Sequence, residues 1–444
     1  MQCSIEKLIY GGDGLARIPA QGDERRGKTV FIPYVLPGET VEARVVEERK
    51  GFIRAEATEI LTPSPARIAP LCPHFTHCGG CSYQHLDYAG QVEQKALILR
   101  ETLQRGAKVE LPEVVTHTAE PWGFRNRSRM KFAFEPEFAL GYYRHGSHEL
   151  EAVRECPISS PLINRAVSLL WGMAKELSEQ PLLREVQFFA NHDDSALLLE
   201  LFVHYTAKPP EFAPLAKLLR EKMPEIAGVA IFAGVAPEGD LDDGSFEAAK
   251  QLLRAGAPYV EGSRHMVYQV GEHEYRVSAG SFFQTNRFLV AELVELVTAG
   301  REGKSVMDLF SGVGLFTLPL ARHFARVTSV EIAPYSYGDL EANATGGNMQ
   351  KVRGTTEDFL RTARGRWDLA VVDPPRTGLG ERAARFLGAL QLPRITYVSC
   401  DPATLARDLG ILLAAGYTVE AAHMVDLFPQ TCHMESILQL VRTN

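Results

Sequence analysis

The chain has no run of about 18 apolar residues, so no segment reads as a membrane-spanning helix. Its opening residues, MQCSIEKLIYGGDG, contain neither an apolar core nor a small-residue cleavage site. That excludes a secretory signal and sets the expectation of a cytoplasmic protein, with no membrane partner. There is no GxGxxG turn, which argues against a dinucleotide fold, and no phosphate-cradling P-loop. Repeats and low-complexity segments are also missing. Cysteine is sparse, at seven in 444 residues, too few for a disulfide scaffold in so large a chain. Positive charge is in deficit: the formal net charge is −8, unlike a basic nucleic-acid coat, although local patches decide contacts.

What is present divides into three stretches, in line with a chain too long for one simple core. Residues 1–62 are rich in β-branched residues broken by LPGE and KG turns. Roughly five short strands in about 60 residues suggest a small OB-like β-barrel. LTPSPARIAP then reads as a linker. Residues 63–262 mix α and β, with a helix at 90–106 placed to pack on the last domain. Residues 263–444 alternate apolar strands (SVMDLF, ARVTSVEI, LAVVDPP, ITYVSC) with helical segments (ARHFA, ERAARFLGAL, ATLARDLGILLAAG). That pattern predicts an α/β domain with a parallel-rich sheet covered on both faces. Monomer is the default expectation.

The segment VMDLFSGVGLF reads as a buried strand, a glycine turn and a helix start. Gly312 and Gly314 let the backbone approach a ligand closely. Glu331 ends the next strand, about 20 residues on, where an acid commonly takes ribose hydroxyls. Asp373 ends a later one. Three strand ends at the carboxyl edge of one sheet point to a nucleoside ligand, and SGVGLF in place of GxGxxG points towards adenosyl binding. Cys400 follows another strand, and Asp401-Pro402 starts a helix whose N-terminus is expected to favour a thiolate.

Two further clusters stand out. LCPHFTHCGGCSYQH holds Cys72, Cys78 and Cys81, and Cys156 can supply a fourth thiolate. Four thiolates fit either zinc or an iron–sulfur cluster. In FRNRSRMKF, Arg125, Arg127, Arg129 and Lys131 alternate with apolar side chains, so a strand places all four cations on one face. Phosphate contacts with RNA are the expectation there, against the alternative of a solvated edge strand.

SFFQTN at 281–286, DLFSGVGLFTLPLA at 308–321, VVDPPRTGL at 371–379, YVSCDPATLARDL at 397–409 and LFPQTCHMES at 427–436 occur in this order. Together they resemble the RNA uracil-5-methyltransferase family, which makes 5-methyluridine in ribosomal or transfer RNA. The resemblance spans nearly the whole chain and likens residues 1–62 to a TRAM domain, the RNA-binding β-barrel of that family. It implies a Rossmann-like methyltransferase domain over 263–444 and a central iron–sulfur domain over 63–262. It also implies Cys400 as nucleophile, Glu435 as general base, and Gln284, Phe310, Glu331 and Asp373 as contacts to S-adenosyl-L-methionine, with Gly312 in the same turn. Cys72, Cys78, Cys81 and Cys156 are then ligands of a [4Fe-4S] cluster. Leu315, Asp401 and Ser311 stand where the family often has Asn, Asn and Cys.

The implied reaction transfers a methyl group to C5 of a uridine through a Cys–C6 adduct, with 23S ribosomal RNA favoured over transfer RNA. Two other classes compete. DPPR at 373–376 is reminiscent of the Asp-Pro-Pro-aromatic signature of N-methylating enzymes, but Arg376 replaces the aromatic residue. A non-catalytic RNA-binding iron–sulfur protein would use the barrel and the cysteines alone.

Overall fold

Leu369–Val372 is buried along its whole length, and the strands Gly303–Leu309, Phe324–Glu331 and Arg394–Ser399 are buried over most of theirs. Alternate side chains leave this sheet on opposite sides. Val306, Val327, Leu369, Val371 and Val398 join one apolar cluster; Met307, Leu309, Ala370, Val372 and Tyr397 join another. Burial on both faces explains why these strands are continuous apolar runs. In this computed structural model residues 1–18, 27–234 and 257–443 are described. Residues 19–26 of the first stretch and 235–256 of the second lie outside the described residues.

The sheet has eight strands, in the order Met349–Arg353, Phe324–Glu331, Gly303–Leu309, Leu369–Val372, Arg394–Ser399, Glu435–Arg442, Tyr417–Val425 and Val114–His117. The first five are mutually parallel, and Glu435–Arg442 runs antiparallel to both its neighbours. This is the α/β, parallel-rich architecture that the alternation predicts. One segment departs from the pattern. ARHFA, expected helical, is a turn leading into a strand, and the helix after the glycine turn is only Thr317–Leu320. The chain turns at residues 321–323 straight into the strand Phe324–Glu331, which leaves room for a single helical turn.

Val114–His117 pairs with Tyr417–Val425, Val114 opposite Ala422. The preceding helix, Tyr88–Ala107, buries Ile98, Leu99 and Leu103 in the same cluster as Leu405, Ala406 and Leu409 of helix Pro402–Ala414. The contact is close: a Cβ on Gly106 would lie 2.7 Å from that of Ala406. The helix placed at 90–106 from sequence therefore packs on the last sheet's helices, and residues 88–117 belong structurally with that sheet.

A seven-stranded sheet spans Arg127 to Gly262 in the order Leu150–Ala152, Ala139–Tyr143, Arg127–Ala133, Leu183–Ala190, Leu197–Val203, Ile226–Ala233 and Tyr259–Gly262. Helices Pro161–Gly172 and Ala213–Lys222 cover one face. Phe189 and Leu198 on the other face join the core of the eight-stranded sheet. Residues 2–62 form a six-stranded sheet around Val30, Ile32, Val35 and Val41. Its two end strands, Gln2–Ser4 and Lys7–Leu8, are only two residues apart in sequence, which draws the ends of the sheet together as in a small barrel. No helix among the described residues is long and apolar enough to cross a membrane.

Candidate active site

Four parallel strands end at one edge of the eight-stranded sheet and deliver Phe310, Glu331, Asp373 and Cys400 there. Phe310 itself is left-handed, with φ of 60°, and Gly312 and Gly314 follow at 55° and 96°. Such backbone is costly for a phenylalanine and marks a turn held by its surroundings. A Cβ on Gly314 would sit 3.1 Å from Leu340 and 3.2 Å from Leu318, so a larger residue crowds the turn. Glu331 locks it: its carboxylate accepts from Gly312 N–H at 2.8 Å, Ile332 N–H at 2.7 Å and Ala333 N–H at 2.6 Å.

Asp308, fully buried one residue before the strand end, accepts from the Thr317 hydroxyl at 2.5 Å, and its other oxygen has no partner. Burial pushes its carboxyl up to about 7 despite the Thr317 bond, and the charge of Glu331 adds to the rise. Asp373 is likewise pushed up to about 7, by burial and then by Asp308. Burial also raises Glu331. The three acids thus stand together at the sheet edge, with one Asp308 oxygen left without a partner. Gln284 is buried in the loop beside it. That loop is tied down by Asp339, which accepts from Ser278 Oγ and Ser281 Oγ, both at 2.6 Å. Asp339 lies in the helix that follows Glu331. Nothing in the sequence marked Asp308 or Asp339.

Strand register brings the remaining pair together. Ser399 lies opposite Ser436, and the Ser436 hydroxyl donates to the Ser399 carbonyl at 3.0 Å. One residue further along each antiparallel strand, Cys400 meets Glu435. Glu435 is buried and its Oε1 has no partner. Burial, then the charge of Asp373, holds its carboxyl well above the usual carboxylate range, with Arg376 opposing. The Cys400 thiol is strongly raised by burial, then by Glu435 and Asp373. The expectation of a thiolate stabilised by the helix end is therefore corrected: burial first, and the neighbouring acids second, oppose ionisation of the thiol. We predict that alkylation of Cys400 by iodoacetamide accelerates about tenfold per pH unit with no plateau below about pH 10, beyond the range of an ordinary thiol. Peptide mass spectrometry checks this, and a plateau near pH 7 would restore the thiolate.

Arg376 is the cation that opposes these acids, and its guanidinium lies 3.4 Å from His433 Nε2. Burial and Arg376 push His433 down to about 3, so it is neutral. The loop that leads to Glu435 is clamped from the helix Tyr88–Ala107. Lys95 donates to Asp426 at 2.7 Å and to the Phe428 carbonyl at 2.9 Å, while Gln91 exchanges hydrogen bonds with Gln430. The Ser82 and Tyr83 N–H groups donate to the Gln430 carbonyl at 2.9 and 3.0 Å. The one hint in sequence was Gln91 and Lys95 falling on the helix's apolar face with Leu99.

Cys72, Cys78, Cys81 and Cys156 line one cavity of about 500 Å³, together with Arg125, Arg129, Lys131 and Tyr142. Burial raises Cys72, pushes Cys78 up to about 11 and Cys81 up to about 12, and the charge of Cys156 adds to each rise. Among the described residues, no three His, Cys, Asp or Glu side chains stand together at the spacing of a single metal ion.

The comparisons with known proteins fit this geometry. The family model for tRNA (uracil-5-)-methyltransferase matches residues 247–443, and the TRAM domain model matches residues 2–58. An uncharacterized RNA methyltransferase of Aquifex aeolicus is 33% identical over 448 residues, 99% of this chain and 98% of that protein. A 23S rRNA (uracil(1939)-C(5))-methyltransferase of Alkalilimnicola ehrlichii is 32% identical over 453 residues, 98% of this chain and 95% of its own. The chain belongs to the RNA uracil-5-methyltransferase family. The Pyrococcus abyssi tRNA (uracil-54, C5)-methyltransferase, solved with S-adenosyl-L-homocysteine, shares the fold at 22% identity, with a TM-score of 0.72 over 99% of this chain and all of that one.

Within this family member, the basic row reads differently from the sequence expectation. Arg125, Arg127, Arg129 and Lys131 do share a face, but internal carboxylates engage three of them. Arg127 meets Glu200 at 3.2 Å and donates to the Ser281 carbonyl at 2.6 Å. Arg129 and Lys131 both bind Glu185. The Arg129 guanidinium also stacks over Phe202 at 4.2 Å. Arg125 is half-buried at the rim of the cysteine cavity. The carboxylates come from neighbouring strands, which a local pattern cannot reveal. We therefore expect Arg129→Gln to lower stability by roughly 2–4 kcal/mol, because Glu185 is left under-compensated in the interior. The salt dependence of RNA binding should stay as in the parent. A flattened salt slope at unchanged melting temperature would return the row to phosphate contact. Leu315, where the family often has Asn, is a buried core residue whose carbonyl accepts from the Tyr275 hydroxyl at 2.9 Å.

Proposed function

We propose that this protein methylates C5 of a uridine in 23S ribosomal RNA through a covalent bond between Cys400 and C6 of the base. The observation that carries the reading is the register that sets a buried, unpartnered Glu435 opposite Cys400 at the end of adjacent strands. Relatives along the full chain that bear the 23S rRNA name favour that RNA over transfer RNA.

C5 of uracil is a weak nucleophile. The Cys400 thiol gives its proton to solvent as its sulfur adds to C6, and the electron pair of the C5–C6 bond moves towards O4 to give an enolate. S-adenosyl-L-methionine, when bound, supplies an electrophilic methyl group. After C5 has been alkylated, a base takes the C5 proton; the C5–C6 double bond reforms and the thiolate leaves. Glu435 suits that last step: a carboxylate whose proton affinity is raised by burial is a stronger base than one in water. The target uridine must leave its stack to reach both groups.

Gln284, Phe310, Gly312, Glu331 and Asp373 would hold the cofactor. The crowded carboxyls of Asp308, Glu331 and Asp373 suit a ligand that carries a sulfonium and an ammonium group. The four cysteines suit a [4Fe-4S] cluster: their sulfurs share one cavity, and the cations at its rim offset the negative charge of thiolate ligands. The test uses 23S ribosomal RNA from cells lacking this protein, radiolabelled cofactor and anaerobically purified enzyme. Label in 5-methyluridine of 23S RNA is expected, from brown protein with about four irons per chain. Label only in transfer RNA would move the substrate, and colourless protein containing zinc would remove the cluster.

A further inference from the structure

The loop between strands Lys7–Leu8 and Gly14–Arg17 of the N-terminal barrel packs against the rest of the molecule, with only Gly11 exposed. Tyr10 packs against the core that underlies the eight-stranded sheet, and Leu8 and Leu36 are buried in that same core. Lys7 pairs with Glu101 of the helix Tyr88–Ala107. Gly12, with φ of 97°, is wedged so tightly that a Cβ there would lie 3.0 Å from Ser82 and 3.4 Å from Cys432. The tip of the barrel is thus fixed between the cysteine-bearing loop and the loop that leads to Glu435.

From this position the Tyr10 hydroxyl donates to Asp401 Oδ2 at 3.0 Å and lies 3.4 Å from the Cys400 carbonyl oxygen. The other carboxylate oxygen, Oδ1, accepts from the N–H groups of Ala403 and Thr404, both at 2.9 Å, and caps the helix Pro402–Ala414. Asp401 is therefore held at both ends, by the helix it starts and by a side chain nearly 400 residues earlier in sequence. We propose that Tyr10 is a positioning residue for methyl transfer: its hydroxyl binds the second oxygen of Asp401 and so fixes the turn that presents Cys400. The proposal rests on the reading of Cys400 as nucleophile.

The physical reason is twofold. A turn between a strand and a helix has few hydrogen bonds of its own, and a shift of about 1 Å in a nucleophile is enough to cost rate. The charge of Asp401 also opposes ionisation of the thiol. A donor on Oδ2 keeps that oxygen directed at the barrel. Asn at position 401 would cap the helix as well as Asp does, without the charge.

The test compares the parent protein with Tyr10→Phe, Asp401→Asn and the double variant. The readouts are the single-turnover rate of adduct formation on 5-fluorouridine RNA at saturating cofactor, and the RNA dissociation constant. Tyr10→Phe should slow the chemical step roughly five- to twenty-fold, as for loss of a hydrogen bond to a charged group, with RNA affinity within about two-fold of the parent. In the Asp401→Asn background the same change should cost less than about two-fold, the non-additivity expected of a direct pair. A Tyr10→Phe enzyme as fast as the parent overturns the proposal. So does a loss confined to RNA affinity, or one of equal size in both backgrounds. Failure of the parent itself to form an adduct overturns the assignment of Cys400, and this inference with it.

Discussion

Cys400→Ser is expected to end methyl transfer. Rates on RNA should fall by on the order of 10⁴-fold or more, the scale on which loss of a covalent nucleophile is felt. RNA affinity should stay within about two-fold of the parent, because the side chain is small and half-buried and contributes little contact area. The serine hydroxyl is too weak an acid to ionise beside Asp373 and Glu435, acids that already hold the thiol's proton in place. The same variant separates two chemistries. An enzyme that methylates a neutral amine next to Asp373 has no use for the thiol and would keep most of its rate. Retention of more than about a tenth of parental activity therefore favours the amine reading and removes the adduct mechanism.

Glu435→Gln should stop the reaction at a different point. The amide cannot take the C5 proton, so turnover falls by roughly 10²- to 10⁴-fold, the usual contribution of general acid–base catalysis. Attack by Cys400 and the first methyl transfer remain possible, so protein and RNA accumulate as a covalent complex that survives a denaturing gel. Folding should be unharmed. Glu435 is buried, burial disfavours its charged form, and Gln replaces it by a neutral group of the same shape. A melting temperature equal to or above the parent's is expected. Glu435→Gln enzyme that releases 5-methyluridine at the parental rate would show that another group is the base.

The strands Gly303–Leu309, Phe324–Glu331, Leu369–Val372 and Arg394–Ser399 were legible because strands buried on both faces must be apolar throughout. The residues that end them were legible for the same reason: a polar side chain just past such a run lies at the sheet edge. Glu435 was not. Its place opposite Cys400 depends on the register between two antiparallel strands some forty residues apart, and only likeness to a family suggested it. Strand Val114–His117 escaped because its partner lies three hundred residues away. Lys95, fully buried against Asp426, looked like one more charge on a helix. The Cys400 thiol was misjudged because a helix end can be seen in sequence, whereas its burial and the acids beside it arise only when other strands assemble around it. In the basic row the periodicity was right, but Glu185 and Glu200, which engage three of its four cations, lie on strands further along the same sheet.

Because Tyr88–His117 supplies both an outer strand of the catalytic sheet and the helix that covers Pro402–Ala414, the methyltransferase half is not a detachable module. A fragment beginning near residue 263 would carry Tyr417–Val425 as a bare ribbon edge and a greasy helix flank, both prone to self-association. The barrel is no more detachable, since its Leu8 and Leu36 are buried in the same core as that helix, so dissecting this enzyme calls for point substitutions. A cut through the middle of the chain would leave insoluble halves.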